Sequence, residues 1–387
     1  VRMKIGIYGG SFDPPHVEHV KIAENFIKEA GLDKLYVVPA NVAPHKPYAH
    51  MISGKDRLNM LDIAFASLFK AIICDYEINA GGSSYTYLTA ERFRKEFPEA
   101  EIYFLMGTDM LENFPCWKNP EIILKNAKLF VTGRSGEDKN RAIKTFVDKF
   151  GSLDRVVFSE FEGEKISSTD IRNRLMLGLD VDGKLNDEVL EYIKKEGLYK
   201  GDEKAEYVRK SLPISRLTHT LGVMNLSKTY AKTLNEDENK ATLAAMLHDV
   251  AKYSDPKDFK GFVLPEGVPK PVVHQFLGAF IAENILGVKD EDVLNAIRYH
   301  TTGRPNMSNL EKIVFLADLL EEGRKYSDAQ ELREAVKNDF EKGFLLCLRR
   351  LKDFLENSDE PVYYLSEECY DYYLKDLRHE KTHTKND

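Results

Sequence analysis

The chain has 387 residues, which is too many for one ordinary hydrophobic core and predicts two domains. Its composition, 43% hydrophobic and 30% charged, is typical of a soluble globular protein. The net charge of -8 argues against a nucleic-acid-binding surface, and no stretch approaches the roughly 20 apolar residues of a membrane span. We therefore expect neither nucleic acid nor a membrane as a partner.

Cysteine usage indicates the cellular compartment. The four cysteines are far apart and form no Cys-x-x-Cys motif, which is typical of free thiols in a reducing environment. The first apolar run is too short for a signal peptide. These features predict a cytoplasmic protein. The sequence leaves the oligomeric state open, a homo-oligomer included.

The first predicted element is a buried strand over residues 4–8, an apolar run followed by two glycines. Gly9 and Gly10 let the backbone turn sharply and approach a ligand closely. A glycine-rich turn that leads into a helix N-terminus binds anions, because free N–H groups and the positive end of the helix dipole both point at it. This turn is therefore a candidate phosphate site.

Two histidines follow the turn. Asp13 and Pro14 predict a helix start, with an N-cap side chain and a proline near the first helical position. His16 and His19 would then lie in the first turn, on one face of the helix. Two imidazoles beside an anion site can donate hydrogen bonds to phosphate, so we predict a bound nucleoside triphosphate. The alternative is a strand–turn–helix corner with two surface histidines.

Strand-like and helical segments alternate through the first half, which predicts an α/β fold with a doubly wound parallel sheet. The later predicted strands cover residues 35–38, 71–78, 102–106, 129–132 and 156–159. The predicted helices include residues 20–28, 56–69, 87–97 and 141–150. Ligands bind such sheets at the carboxyl ends of the strands.

Polar clusters follow these strands, where the fold rule places ligands. Lys46, in a proline-dense turn, is a mobile cation suited to phosphate; the alternative is a solvated loop lysine. Thr86 closes the segment 83–86, whose commonest structural role is to cap the next helix. Gly107 and Asp109 suit a ribose or a base edge. Trp117 could stack on a flat ring or simply cover the core.

The last cluster of the first half is residues 165–172, which open a helix. Ser168 or Thr169 could cap that helix, with Ser167 just before them. Arg172 would lie in the first turn and point back toward the glycine turn. A helix N-terminus with an arginine predicts a second phosphate site.

These motifs carry a family resemblance over residues 4–199. The run Gly9-Gly10-Ser11-Phe12-Asp13-Pro14-Pro15-His16-x-x-His19 resembles the signature of the nucleotidyltransferases with a His-x-x-His motif, most closely the bacterial nicotinate-nucleotide adenylyltransferases. The Pro-His-Lys turn at Lys46, the Gly-Thr-Asp and Trp-Lys segments, and the Ile-Ser-Ser-Thr-x-Ile-Arg run resemble the same family. The resemblance implies a Rossmann-like domain over residues 1–200 that binds ATP and nicotinate mononucleotide. Mg²⁺ would enter the site together with ATP.

The resemblance also implies roles for individual residues. His16 and His19 would bind the phosphates being cleaved, and Lys46 and Arg172 would neutralise the departing pyrophosphate. The nucleotide-binding set would be Gly9, Gly10, Ser11, Phe12, Thr86, Gly107, Asp109, Trp117, Ser167, Ser168 and Thr169. Glu18 departs from the family, which usually has glycine before the second histidine. Its carboxylate would either weaken nucleotide binding or point to solvent, and the sequence leaves both open.

The pattern changes after a polar joint at residues 201–204. Strand signals stop, and helical periodicity predicts an all-α domain over residues 201–378, with a disordered tail over 379–387. The predicted helices cover residues 217–234, 240–253, 272–286, 290–299, 310–320 and 340–354.

Six nitrogen or oxygen donors lie along these predicted helices, and none is a thiolate, which suits Fe, Mn, Zn or Mg. They are His219, His248, Asp249, His274, His300 and Asp318. Taken singly, each of these residues would be interpreted as a core histidine or a surface acid and not as a metal ligand. A carboxylate within an apolar run is costly to bury unless it is paired or binds a metal, so the set predicts a metal site.

The order of these donors resembles the HD-domain metal-dependent phosphohydrolases, and segments 216–223, 247–252 and 298–305 resemble the bacterial symmetrical diadenosine tetraphosphatases. That resemblance implies one metal on His219, His248, Asp249 and Asp318, and a second, bridged by Asp249, on His274 and His300. Iron would be the metal, or else manganese. Lys252 and Arg304 would bind the phosphates of a dinucleoside polyphosphate, and diadenosine tetraphosphate would be cleaved to two ADP.

The two resemblances together predict a bifunctional enzyme, a transferase followed by a hydrolase. Two alternatives stay open at this point. The second domain could act on another nucleotide phosphate ester, or it could be a nucleotide or metal sensor that regulates the transferase. Glu18 also permits a weak transferase domain that serves mainly as a scaffold.

Overall fold

The structure is a computed structural model that describes residues 2–42, 51–134, 139–357 and 362–383. The chain divides into two compact units. One is Val1–Arg172 with Val181–Tyr199, and the other is Asn173–Asp180 with Lys200–Asp387. The domain bounds 1–200 and 201–378, and the disorder of the tail, stay predictions. No helix among the described residues is long and apolar enough to span a membrane.

The first unit is built on a parallel sheet of six strands in the order β3-β2-β1-β4-β5-β6. The strands are β1 Lys4–Gly10, β2 Lys34–Pro39, β3 Ala71–Ile73, β4 Glu101–Gly107, β5 Lys128–Arg134 and β6 Val156–Gly163. The helices of this part of the chain are α1 Val17–Ala30, α2 Gly54–Phe65, α3 Tyr76–Ala80, α4 Thr86–Glu96, α5 Thr108–Asn113, α6 Pro120–Asn126, α7 Lys139–Phe150, α8 Ser168–Leu177 and α9 Asp187–Glu196. The predicted fold class is confirmed.

The sheet forms because its central strands are apolar on both faces, as parallel strands covered by helices require. Successive side chains of a strand point to opposite faces, and both are buried at Ile7 and Tyr8 of β1 and at Val37 and Val38 of β2. In the register, Gly10 at the end of β1 lies opposite Pro39 at the end of β2. The polar turns after these strands therefore meet at one edge of the sheet.

The end of the third strand and the start of the first helix differ from the predictions. The third strand ends at Ile73 instead of residue 78, and α3 follows it. Its partner β2 ends at Pro39, which has no N–H to donate to a longer ladder. The first helix begins at Val17, not at Pro14. Asp13 and Pro14 each precede a proline, which disfavours the helical conformation for both.

The second unit is helical among its described residues. Its helices are α10 Glu203–Ser211, α11 Ile214–Leu234, α12 Glu238–Leu247, α13 Val273–Asn284, α14 Glu291–Arg298, α15 Asn309–Leu320, α16 Ala329–Asn338, α17 Phe340–Glu356 and α18 Tyr364–His383. Helix α11 packs against α12 and α15, and α14 packs against α12, α13 and α15. The buried core that these helices share also contains Leu177, at the end of α8.

Candidate nucleotide site and candidate metal centre

The two motif histidines of the first unit lie against each other. Their ring centroids are 3.6 Å apart and the rings are nearly parallel, at 19°. His16 is the N-cap of α1 and His19 is three residues further on, and the His16 N–H donates to His19 Nδ1 at 3.1 Å. Since Nδ1 accepts, a neutral His19 carries its proton on Nε2, which is the atom that could donate to a phosphate.

The glycine turn before them is held by a side chain that the sequence did not reveal. Arg57 of α2 is only 2% exposed. Its Nη1 donates to Ser11 O at 3.0 Å and to Ala40 O at 2.5 Å, so it joins the turns after β1 and β2. Burial lowers the pKa of Arg57, and the nearby Asp13 carboxylate opposes that shift. No motif contains this arginine; only its burial distinguishes it.

Tight packing shapes the turn itself. The Phe12 ring lies 2.9 Å from where a Cβ on Gly10 would be, so a side chain at Gly10 would displace it. Phe12 is buried and its ring packs edge-on to His19, with centroids 5.0 Å apart. A Cβ on Gly9 would lie 3.5 Å from the Phe104 ring, which is an ordinary van der Waals contact. Close packing beneath the candidate anion site therefore requires glycine at residue 10 and not at residue 9.

The segment that opens α8 is bonded directly to the histidine motif. Ser168 Oγ donates to Pro14 O at 2.9 Å, and Arg172 Nη1 donates to Asp13 O at 2.6 Å. Arg172 Nη2 also donates to Thr169 Oγ1 at 3.2 Å. The predicted second phosphate site and the glycine turn are thus brought together.

Capping of α8 differs from the prediction. Ser167 Oγ accepts the N–H of Asp170 at 3.0 Å, which is an N-cap bond one residue earlier than expected. Ser168 instead uses its hydroxyl on Pro14. The expectation that Ser168 or Thr169 caps the helix was wrong, because the tertiary bond to Pro14 takes the Ser168 side chain.

Asp13 is a buried carboxylate under the motif, not a helix cap. Its Oδ1 accepts the Tyr199 hydroxyl at 2.6 Å, and its Oδ2 lies 3.8 Å from Arg172 Nη1. Burial and the Asp13 charge raise the pKa of Tyr199 well above its usual range, so the phenol stays protonated and donates. Tyr199 was outside the predicted site, and nothing in its local sequence marks it.

The other predicted nucleotide-binding residues lie at neighbouring strand ends. Gly107 ends β4 and is the N-cap of α5, and a Cβ there would lie 2.6 Å from Asp109 Oδ1. Trp117 is half-buried and packs edge-on to Phe104, with ring centroids 6.3 Å apart. Both of its proposed uses, core cover and stacking surface, are compatible with that position.

Residues 83–86 do not cap α4. Thr86 is the first residue of that helix, and its N-cap, Tyr85, makes no side-chain capping bond. Ser84 Oγ accepts the N–H of Asn41, at 2.8 Å, and so ties this segment to the turn after β2. That competing bond explains why the capping prediction was wrong. Lys46 lies outside the described residues.

Glu18 does not point to solvent. It is 1% exposed, at the second position of α1, and its Oε1 accepts the N–H of Glu164 at 3.0 Å. One of the two expectations for Glu18 was therefore wrong. The other, weaker nucleotide binding, stays a prediction.

The second unit gathers all six predicted metal ligands into two adjoining triplets. One is His219, His248 and Asp318, and the other is Asp249, His274 and His300. Within each triplet, the candidate ligand atoms lie within 4.8 Å of one another. These nitrogen and oxygen donors fit a divalent cation in each triplet.

Asp249 belongs to the second triplet and also faces the first, with one oxygen toward the histidines of each. Its Oδ1 lies 3.2 Å from His274 Nε2 and 3.8 Å from His300 Nε2. Its Oδ2 lies 3.4 Å from His248 Nε2 and 3.9 Å from His219 Nε2. A carboxylate in this position could bridge two cations.

Hydrogen bonds from the outer ring nitrogens orient the histidines. His248 Nδ1 lies 2.6 Å from Ala245 O, and His300 Nδ1 lies 2.8 Å from Ile297 O. A carbonyl only accepts, so in each ring Nδ1 carries a proton, and the neutral form of the ring presents Nε2 inward as the ligand atom. His219 is oriented by Glu321, whose Oε1 is 3.1 Å from its Nδ1.

The electrostatics keep the inner carboxylates ionised. Burial alone would raise the pKa of Asp249, but His248, His274 and His300 outweigh burial and hold that pKa far below its usual range. The same balance lowers the pKa of Asp318, where His219 is the main partner. Burial lowers the pKa of His300 to about 3, with His274 and His248 adding to it, so its ring is neutral. Ionised acids and neutral imidazoles are the forms that bind metals.

Cationic side chains surround this centre. Lys252 Nζ lies 3.1 Å from His274 Nε2 and 3.7 Å from Asp249 Oδ1. Arg216, one helical turn before His219, donates Nη1 to Asp249 Oδ2 at 2.9 Å. Arg216 lay within a recognised motif but was not among the predicted site residues.

Arg304 is held differently from Lys252. Its guanidinium makes two hydrogen bonds to the buried Glu311, at 2.7 and 2.9 Å, and lies 5.0 Å from the centroid of the Tyr299 ring. These bonds use two of its five N–H groups, so donors remain for a phosphate.

Comparison with known proteins follows the same division. A family model described as cytidylyltransferase-like matches residues 7–174, and one described as HD domain matches residues 216–323. The HD match and the two triplets together indicate a divalent metal centre in the second unit.

Three relatives cover the chain and its parts. The probable nicotinate-nucleotide adenylyltransferase/Ap4A hydrolase of Mycoplasma genitalium is 29% identical over 368 residues, 92% of this chain and 100% of that protein. The probable nicotinate-nucleotide adenylyltransferase of Endomicrobium trichonymphae is 37% identical over 201 residues, 51% of this chain and 99% of its own. The symmetrical bis(5'-nucleosyl)-tetraphosphatase of Halalkalibacterium halodurans is 36% identical over 165 residues, 41% of this chain and 88% of its own. The chain therefore belongs to the nicotinate-nucleotide adenylyltransferases in its first part and to the symmetrical bis(5'-nucleosyl)-tetraphosphatases in its second.

Proposed function

We propose that the chain is a bifunctional enzyme. Its first unit transfers the adenylyl group of ATP to nicotinate mononucleotide, giving deamido-NAD and pyrophosphate. Its second unit hydrolyses diadenosine tetraphosphate to two ADP. Family membership of both parts supports this proposal. The single observation that carries the second activity is that Asp249 faces the histidines of both triplets, one with each oxygen.

Adenylyl transfer needs no nucleophile from the protein. An oxygen of the mononucleotide phosphate attacks the α-phosphorus of ATP, and the bond from that phosphorus to the β-phosphate oxygen breaks in line. The protein positions the reactants and stabilises charge. His19 Nε2 and His16 bind the phosphates, and Arg172 and Lys46 offset the charge on the pyrophosphate, while Mg²⁺ enters with ATP.

The strand ends hold the two nucleosides in this proposal. The glycine turn of residues 9–12 and Ser167, Ser168 and Thr169 bind ATP. Thr86, Gly107, Asp109 and Trp117 form the mononucleotide side. The adjacency of the ends of β1, β2 and β4 in the sheet supports this division.

The hydrolase site is proposed to hold two divalent cations, iron or else manganese. His219, His248, Asp318 and Asp249 would hold one, and Asp249, His274 and His300 would hold the other. When bound, such a pair supplies a nucleophilic water and polarises the phosphate that is attacked. Lys252, Arg216 and Arg304 donate to the phosphate oxygens of the dinucleoside polyphosphate and stabilise the leaving ADP.

Product analysis of the full chain tests both halves. Incubation with ATP and nicotinate mononucleotide should give deamido-NAD and pyrophosphate. Incubation with diadenosine tetraphosphate and Fe²⁺ or Mn²⁺ should give ADP, with neither ATP nor AMP, because symmetrical cleavage splits the central bridge.

Two variants serve as reciprocal controls. Substitution H19A should abolish synthesis and leave hydrolysis intact, and H248A should do the opposite. If the protein binds metal but hydrolyses no nucleotide, the second unit is a sensor and not a hydrolase. If the protein makes no deamido-NAD, the first unit is a scaffold.

A further inference from the structure

Glu18 places a carboxylate inside the histidine motif of the first unit, and its surroundings assign it a use. It lies on α1 between His16 and His19, the two motif histidines. Its side chain is 1% exposed, which is rare for a carboxylate unless it is paired. The mechanism proposed above does not use it.

The Glu18 carboxylate contacts the segment that follows β6. Its Oε1 accepts the backbone N–H of Glu164 at 3.0 Å. Lys21, one turn along α1, lies 3.7 Å from Glu18 Oε2 and donates to Glu164 Oε1 at 3.2 Å. Helix α1 thus holds residue 164 through both its backbone and its side chain.

The local sequence has room for this carboxylate. A Cβ on Gly163 would lie 2.7 Å from Glu18 Oε1. A side chain at residue 163 would therefore displace the carboxylate from its place beside the Glu164 N–H. Glycine at this position leaves the carboxylate free to make that bond.

Glu164, the residue bonded to Glu18, directly precedes residues 165–172, the second predicted phosphate site. Gly163 ends β6, and Ser167, Ser168 and Arg172 follow within nine residues along the chain. That segment already returns to the histidine motif through Ser168 on Pro14 and Arg172 on Asp13. The Glu18 bond fixes the other end of the same segment.

We propose that Glu18 is a positioning residue of the transferase: its bond to the Glu164 N–H fixes the segment that carries Ser168 and Arg172 against the histidine helix. This inference rests on the proposed transferase function. It assigns the carboxylate a supporting part in ATP binding and turnover, in place of the repulsion that a negative charge near phosphates would cause.

The structure offers a matched control on the same helix. Glu29, three turns further along α1, accepts the N–H of Glu160, a residue of β6, at 3.1 Å. Glu29 is exposed and lies away from the motif end of the helix. Glu18 and Glu29 therefore make the same kind of bond, and only one of them is next to the phosphate segment.

The test compares E18A, E18Q and E29A in the full chain. The E18A variant should lose about tenfold in kcat at saturating ATP, because the misplaced segment no longer meets the transition state. The E18Q variant should keep most activity, since an amide oxygen can accept the same N–H. The E29A variant should match the wild type, and hydrolysis of diadenosine tetraphosphate should be unchanged in all three, which verifies the fold of the second unit.

Two kinetic results would overturn the inference. Equal kcat in E18A and E29A would show that Glu18 does not position the segment that carries Ser168 and Arg172. Faster synthesis in both E18A and E18Q would show that the charge repels the substrate phosphates.

Amide hydrogen exchange decides the same question without turnover. The Glu164 amide should be protected in the wild type and in E18Q and exchange faster in E18A. An unchanged Glu164 amide in E18A would overturn the bond itself. A wild type that makes no deamido-NAD would overturn the proposed function, and the exchange result would still decide the bond.

Discussion

Glu321 is not one of the six candidate metal ligands, yet it sets the orientation of His219. One carboxylate oxygen lies 3.1 Å from His219 Nδ1, and the other accepts the N–H of Gly323 at 2.6 Å. Gly222, on the same helix as His219, leaves space for it, since a Cβ there would lie 2.5 Å from Glu321 Oε2. An acid in this position fixes the tautomer of a metal-binding imidazole and raises its basicity.

Substitution E321Q should therefore weaken metal binding. A glutamine amide can present its NH₂ to Nδ1 and select the wrong tautomer, so we expect metal affinity to fall by about 10-fold to 100-fold. Hydrolysis should fall with it while synthesis of deamido-NAD is unchanged. Titration of the metal-free protein with Mn²⁺ would measure the affinity.

The neighbouring residue provides the control for that change. Glu322 is exposed, so E322Q should leave metal affinity at the wild-type value. Equal affinity in E321Q and E322Q would contradict the orienting part assigned to Glu321.

Individual residues also show how far a sequence can predict a site. His219, His248 and Asp318 were predictable because metal ligands are restricted to a few residue types and recur in a recognisable order. Glu321, Arg57 and Tyr199 were not, because each acts through one tertiary bond that leaves no local pattern.

At the scale of elements, Arg57 connects a helix to two strand ends. It is buried on α2 and donates to carbonyls after β1 and β2, so the glycine turn and the turn after β2 share one guanidinium. Lysine cannot reproduce this geometry, because its ammonium is a single point on a flexible stem.

Substitution R57K should therefore destabilise the first unit. We expect the free energy of unfolding to fall by about 1–3 kcal/mol, the range for a buried polar group that loses its partner. Urea unfolding followed by tryptophan fluorescence measures this unit, because Trp117 is the single tryptophan of the chain.

An exposed arginine provides the comparison for R57K. Arg92 of α4 lies 4.0 Å above the centroid of the Tyr76 ring, and R92K keeps a cation there. It should shift the free energy of unfolding by less than about 0.5 kcal/mol. A shift as large as that of R57K would contradict the special place of Arg57.

Element boundaries were predicted less well than element types. The alternation of strands and helices was enough for the parallel sheet, since every βαβ unit needs a covering helix. The start of α1 was wrong because the prolines after Asp13 and Pro14 outweigh the capping signal. The end of β3 was wrong because its length depends on Pro39, a residue of another strand.

At the scale of the whole molecule, the two activities should differ in their need for a resident metal. Dialysis of the full chain against a chelator, followed by assay in Mg²⁺ alone, should leave synthesis intact and lower hydrolysis by at least about tenfold. Fe²⁺ or Mn²⁺ should restore hydrolysis. Full hydrolysis in the dialysed protein, verified as metal-free by elemental analysis, would contradict the two-cation site.

The division of the chain has a consequence for anyone who wishes to study one activity without the other. The path passes from one unit to the other three times, after Arg172, after Asp180 and after Tyr199. Residues 173–180 belong with the helical unit, and Leu177 is fully buried in its core. A cut at residue 200 would leave that core without Leu177, and a cut at 172 would remove Tyr199 from Asp13. No single cleavage yields two intact halves, so point variants such as H19A and H248A are the cleaner way to silence either site.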